Sequence, residues 1–315
     1  MKKKISFVFS LALLSFFWMS CTKDLGGKKG QPVADSVKIA SLLQSATVST
    51  IISDNFANFT VDKFGNMYGL KYNTNTIYKI SATGQETVFY TPPAPTQQDT
   101  STNTLTCLAT DSSANVYTVN LNNFSHIERV LKITPTGTAS TFLDNVNQYL
   151  GTPNYYIYQI AIDKNGNTYL GDNSGIYKVT PDDKGSTVTT QQYGNCFAVD
   201  KNGNVICPMN GITKISPTGT VTSLTPDYGS ASIVSTDVFG DVFIGINTGS
   251  GNAIYLIDPL GKVHTLLSSS TSSHVDGPIA IAKIAAPFHM GSDATGNFYF
   301  YETGDGINDI RKVTF

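Results

Sequence analysis

Glu302 and His289 are the side chains whose types and spacing most readily suggest chemistry. Counted back through the Asp293–Asn297 turn, Glu302 falls opposite Phe288 and beside His289, with Asp305 in the following loop. A carboxylate next to an imidazole can exchange protons with a bound molecule, so the pair is a candidate acid and base. Asp172 ends the corresponding strand of an earlier repeat and shares the location of Glu302. Cys107, Cys196 and His289 occupy one position of the same repeat, four residues before its Asp, and are donor types that zinc accepts. They belong to alternate repeats, however, and no C-x-x-C or H-x-x-x-H supports them, so buried thiols and an isolated His are expected, with no metal and no cofactor.

Aromatic residues form a further group. Tyr149, Tyr155, Tyr156, Tyr158, Tyr193 and Phe288, with His126 and His289, gather around the longest insertions. A Tyr ring can stack on a sugar or an apolar side chain while its hydroxyl finds a polar contact. The same rings can instead plug loops down onto the folded body. The candidate ligand-binding set is thus Tyr155, Tyr156, Tyr193, His126, Phe288, His289, Glu302 and Asp172.

Positioning these groups falls to a repeated unit. An apolar stretch ends in Asp, continues x-x-Gly-Asn into alternating aromatic and aliphatic residues, then reaches Ile-x-Lys-Ile and a Pro/Gly turn. The Asp recurs at 62, 111, 163, 200, 237 and 293, a mean period of about 46 residues. The second block recurs in register, as IYKI ending at Ile80, VLKI at Ile133, IYKV at Val179, ITKI at Ile215, IYLI at Ile257 and IRKV at Val313. Each unit reads as four short strands joined by turns too short for a helix. D-x-x-G-N suits a hairpin loop with a left-handed residue where Gly sits, so Ala114, which replaces that Gly, is expected to be mildly strained.

Six such units at this period predict an all-β, six-bladed β-propeller of four-stranded blades around a central channel. The residues two before each Asp (Thr60, Ala109, Ala161, Ala198, Ser235 and Gly291) are small, as crowding at an axis requires. The last copy stops after its third strand, and the unassigned stretch Thr47 to Ser53 is predicted to supply the fourth and close the ring. The long insertions, Pro92 to Asn103, Asn145 to Tyr155 and Ser269 to Pro287, with shorter ones at Leu121 to Ile127 and Thr303 to Asp309, all open on one face, where binding groups are usually carried. Lys79, Lys132, Lys178, Lys214 and Lys312 fall on third strands of separate blades and are expected to be scattered and solvated.

The unit resembles the NHL repeat, most clearly in DGPIAIAKIAAPFHMGSDATGNFYFYETGDGINDIRKV, and the resemblance covers residues 47–315. It implies architecture more than activity. Lactonases and lyases with related propellers use carboxylate, Asn or His groups on the loop-rich face, but their full set of metal-binding residues does not map onto this chain.

Composition agrees with strands. Charged residues are 14%, and only three Glu occur, at 86, 128 and 302, while Thr, Ser, Asn and Gly are abundant. This balance disfavours an α/β enzyme. The net charge of −2, with no basic cluster beyond the first four residues, excludes an electrostatic footprint for nucleic acid.

Residues 1–20 carry three Lys and an apolar run from Ile5 to Trp18, the pattern of an export signal. Met19-Ser20-Cys21 resembles a bacterial lipoprotein box, which would make Cys21 the lipidated mature N-terminus, although Trp18 departs from the usual Leu. Residues 21–46 are read as the lipidated Cys and a flexible tether. Thr22 in place of Asp favours the outer membrane, on its periplasmic or external side. Together these features predict a lipid-anchored cell-envelope module that binds a carbohydrate, peptide or protein partner; the alternative is a propeller hydrolase or lyase, lactonase-like or streptogramin-lyase-like, with its site on the loop-rich face.

Overall fold

The Asp of each repeat organises the turn between the first two strands. Asp62 Oδ1 accepts the N–H groups of Phe64 (2.9 Å) and Asn66 (3.0 Å), and its Oδ2 accepts the Asn66 side-chain amide at 2.8 Å and the Tyr68 hydroxyl at 3.2 Å. Asp111, Asp163 and Asp293 repeat all four bonds, and Asp200 repeats those that need no Tyr. Burial opposes ionisation of Asp111 and Asp293, but the converging donors prevail and hold both carboxyls below their ordinary range. Ala114 adopts φ 62°, the left-handed conformation expected where its neighbours have Gly. Four of the repeated lysines lie over the repeat tyrosines: Lys79, Lys132 and Lys178 at 5.7 Å from the ring centres of Tyr68, Tyr117 and Tyr169, and Lys312 at 5.5 Å from Tyr299. This corrects the expectation of merely solvated lysines: the ammonium uses the ring face while its stem covers the sheet.

A computed structural model describes residues 36–315 apart from 73, 95–102, 123–124, 126, 151–155, 192, 194–195, 229–230 and 248–250. The repeats form six antiparallel blades. Blade 1 contains Phe56–Val61, Met67–Lys71, Ile77–Ile80 and Glu86–Tyr90; blade 2, Asn103–Thr110, Val116–Asn122, Glu128–Ile133 and Ala139–Leu143. Blade 3 contains Gln159–Ile162, Thr168–Asp172, Gly175–Val179 and Gly185–Thr189; blade 4, Ala198–Val199, Val205–Met209, Gly211–Ile215 and Val221–Thr225. Blade 5 contains Ile233–Thr236, Val242–Asn247, Asn252–Ile257 and Val263–Ser269. Blade 6 combines Ala286–Ser292, Phe298–Gly304 and Ile307–Thr314 with Thr47–Ser53 from the other end of the chain. First strands touch around the whole ring, blade 6 meeting blade 1.

Thr47–Ser53 closes the ring as predicted, pairing Val48 with Val313 and Ile52 with Ile310. The seam is tight. A Cβ on Gly84, in a blade 1 turn at φ +79°, would stand 2.3 Å from the Ile51 carbonyl oxygen. Gly277–Pro278 adds a two-residue strand outside the closing one. Ahead of it runs a helix, Ser36–Ser45, an element that the sequence reading did not separate from the tether; Leu43 packs against the apolar cluster containing Val48, Phe243 and Phe298. No described helix is long and apolar enough to cross a membrane.

Second strands are buried almost throughout because each sheet is packed on both faces. Blades join through mixed clusters, such as Cys107, Val119 and Val130 of blade 2 with Ile160, Leu170 and Tyr177 of blade 3. In blade 4, Asp200 N–H bonds the Asn204 carbonyl and Ala198 pairs with Ile206, the register that keeps Cys196 and Cys207 on opposite faces. Cys107, Cys196 and Cys207 are buried free thiols.

Candidate functional site

The first strands enclose a central channel of about 320 Å³. The small residues two before each repeat Asp, Thr60, Ala109, Ala161, Ala198, Ser235 and Gly291, line it. Polar side chains of the wall mostly join neighbouring blades. Leu108 N–H donates to Asn58 Oδ1 at 3.1 Å, Gln159 Nε2–H to the Phe197 carbonyl at 2.5 Å, and His289 Nε2 lies 3.3 Å from the Ala57 carbonyl. Toward the other end, the hydroxyls of Thr110 and Thr236 donate to the carbonyls of Val61 and Val199 at 2.8 and 3.0 Å.

The wall carries no formal charge among the described residues. Burial lowers the His289 imidazole to about 4 and raises the Cys107 and Cys196 thiols to about 12, so all three are neutral near pH 7. With Nε2 donating to Ala57, His289 keeps Nδ1 as an acceptor. At the loop-rich mouth stand Tyr158, 42% exposed with its hydroxyl accepting from Asn173 Nδ2 at 3.0 Å, and Phe288, 51% exposed. Tyr156 is also exposed nearby in the chain. An uncharged, hydroxyl- and amide-lined channel under two exposed rings can take up a neutral ligand by stacking and hydrogen bonding.

Other predicted site residues are placed differently. Glu302 does not face Phe288: a bulge between Pro287 and His289 pairs Glu302 with Pro287 and His289 with Tyr301. The extra residue, Phe288, turns outward, and the His289 ring stacks on Tyr301 at 6.3 Å while Glu302 points to the other side of the sheet. Glu302 and His289 therefore do not form the expected acid and base pair. Tyr193 is buried, packs against Phe197, and donates its hydroxyl to the Asp172 carbonyl at 2.7 Å; it is a plug holding its loop to blade 3. Asp172 is fully buried, its Oδ1 accepting from Ser174 N (2.7 Å), Ser174 Oγ (2.7 Å) and Gly175 N (2.9 Å). Cys21, His126 and Tyr155 lie outside the described residues.

Glu302 belongs instead to a buried lock. His274 Nδ1 lies 2.9 Å from Glu302 Oε1 and 2.8 Å from Asp309 Oδ2, and Arg311 donates to Glu302 Oε1 at 3.0 Å. Ala285 N–H donates to Glu302 Oε2 at 2.9 Å. Arg311 further bonds the carbonyls of Lys283 (2.6 Å) and Val275 (2.8 Å) and Asp276 Oδ1 (2.8 Å). Asp276 Oδ2 in turn accepts Thr50 N–H at 2.7 Å, so the lock clips the long insertion to both blade 6 and the closing strand. His274, Glu302 and Asp309 have donor atoms close enough to share a metal ion. Both Glu302 oxygens already accept from protein donors, Oε1 from the Arg311 guanidinium and Oε2 from Ala285 N–H, so a second cation would compete with Arg311 for this carboxylate; the arrangement is an ion-pair lock. Sequence reasoning missed His274, Asp276, Asp309 and Arg311. Arg311 left one signal, being one of only two arginines and interrupting the repeat in IRKV.

No known protein-family profile matches the chain, and no curated protein matches it in sequence. Solved structures do. A protein of unknown function from Bacteroides thetaiotaomicron matches with TM-score 0.67 at 14% identity, over 86% of this chain and 76% of that one. A gluconolactonase from Xanthomonas campestris matches with TM-score 0.61 at 11% identity, over 91% and 96% of the two chains. A streptogramin B lyase matches with TM-score 0.55 at 13% identity, over 87% and 99%. At these identities the likeness establishes the six-bladed propeller and leaves the chemistry to the site itself.

Proposed function

We propose that this protein is a lipid-anchored cell-envelope propeller with NHL-like repeats, which binds an uncharged carbohydrate, or uncharged side chains of a peptide or protein, at the loop-rich mouth of its channel. The observation that carries this reading is the pairing of a neutral, hydrogen-bonding channel wall with the exposed rings of Tyr158 and Phe288. The export signal and Cys21 support the envelope location. The alternative, a propeller hydrolase or lyase, is supported by the likeness to the lactonase and lyase structures. It requires an acid or base facing the channel; on the described wall that role would fall to His289, whose imidazole burial keeps neutral and makes a weak base, since the Cys107 and Cys196 thiols stay protonated.

Probing immobilised neutral glycans and short peptides with the purified protein tests the proposal. Saturable binding that Tyr158→Ala and Phe288→Ala abolish is expected; binding indifferent to both substitutions overturns it. Fractionating cells that express Cys21→Ser tests the anchor, which predicts loss of membrane association or stalled processing.

A further inference from the structure

Glu128 opens the third strand of blade 2 and Asp172 ends the second strand of blade 3. Alternation along the strands puts Glu128 on the face of Val130 and Asp172 on the face of Leu170, two residues that meet in the cluster between these blades. Both carboxylates thus enter one interface at its loop-rich end. Glu128 is 1% exposed and Asp172 0%.

Each is half satisfied. Glu128 Oε1 accepts the Ile157 N–H at 2.9 Å, and Asp172 Oδ1 is held by Ser174 and Gly175. Glu128 Oε2 and Asp172 Oδ2 are buried and have no hydrogen-bond partner. Two buried carboxylate oxygens at one interface without a protein donor are costly, several kcal/mol if both are charged. Three blades on, the repeat position of Asp172 is held by Glu302, where the Arg311 guanidinium provides the counter-charge at 3.0 Å and His274 Nδ1 lies 2.9 Å away. Blade 3 has no equivalent: no described Lys or Arg bonds either carboxylate, and the segment GTPNY before Tyr156 contains no basic residue. Two other ionisable groups stand here, and neither is charged: burial raises the Cys107 thiol to about 12, and burial with the Asp172 charge pushes the Tyr193 phenol well above its ordinary value.

We infer that Glu128 Oε2 and Asp172 Oδ2 are the anionic ligands of a binding site for a hard divalent cation of the calcium type, whose remaining oxygen ligands would be water and backbone carbonyls, and which ties blade 2 to blade 3 beneath the channel mouth. Paired carboxylate oxygens, with no nitrogen or thiolate donor, match calcium in preference to zinc. The same site explains the electrostatics of Glu128, whose carboxyl is raised to about 7 by burial, the Ile157 bond acting against this and the Asp172 charge adding to it. The cation and a proton compete for the pair, so binding strengthens from pH 6 to pH 8.

Thermal melts of the purified protein at pH 8, in chelator and in a calcium series, test the site. A saturable rise in Tm of about 5 °C is expected at a hundredfold excess over Kd. Magnesium and sodium should do less, and Glu128→Gln should remove the effect while keeping the Ile157 bond through its amide oxygen. Equilibrium dialysis of the wild-type protein with radioactive calcium supplies a readout independent of any variant, with one ion per chain expected. No retained calcium together with an unchanged Tm overturns the inference, as does calcium binding that Glu128→Gln leaves intact. Stability that simply falls as pH rises through 7, whatever the cation, overturns it too, since the pair then holds only a shared proton.

Discussion

Arg311 and Glu302 meet at 3.0 Å with both side chains fully buried, and around them the chain's longest described insertion is fastened to the blade that closes the ring. Arg311 should therefore govern global stability. Arg311→Met leaves Glu302 and Asp276 without their cation, a loss of about 3 to 5 kcal/mol. Thermal denaturation should show Tm falling by about 10 °C, with new protease sensitivity between residues 270 and 286. An unchanged melt would mean that the lock is not required.

Asp241 replaces the Asn that in the other five repeats donates its side-chain amide to the turn Asp. Burial and the neighbouring Asp237 raise its carboxyl to about 7. The folded state thus holds a proton that the unfolded chain releases near 4, and stability contributed by the protonated pair is complete below about pH 4 and lost as pH rises to 7. Asp241→Asn restores the donor. It should stabilise the protein by about 1 kcal/mol or more at pH 8 and change little at pH 4, as urea titrations at the two pH values would show.

Much of the fold was legible before any coordinates. Asp, Gly and Asn of the repeat write out their own turn, and TVSTIIS could be assigned to the seam because blade 6 lacked a strand. The candidate site was legible only in part. Phe288 and His289 line the channel, but a single bulged residue reverses the face of Glu302, and strand alternation makes such a slip decisive. Glu128 stood out only as one of three glutamates. Its partner Asp172 and the lock residues His274 and Asp276 come from distant segments, and neither spacing nor periodicity records contacts of that kind.

Removing Thr47–Ser53 should expose the edge of Ile307–Thr314 and open the seam against blade 1. Differential scanning of this deletion should show a collapse in Tm or aggregation, whereas deletion of residues 22–33 should leave the melt within about 2 °C of wild type. Equal melts would contradict closure by this strand.

Cys107, Cys196 and Cys207 are buried thiols that burial raises to about 12. The thiolate is the reactive form, so alkylation of the native protein should be negligible at pH 8. Denaturing unreduced protein that lacks residues 1–21 should release three titratable thiols; a count of one would reveal a bridge and a different register in blade 4.

The central claim, that the channel mouth binds a neutral partner while Glu302 serves the scaffold, is tested most directly by calorimetric titration of one glycan or peptide hit from the arrays. Wild-type protein, the Tyr158→Ala/Phe288→Ala double variant and Glu302→Gln would be compared at a temperature where circular dichroism shows all three folded. The account predicts at least about a thirtyfold loss of affinity for the double variant, unchanged affinity for Glu302→Gln, and recovery of the ligand chemically intact. Undiminished binding by the double variant, or conversion of the ligand that Glu302→Gln abolishes, would contradict it.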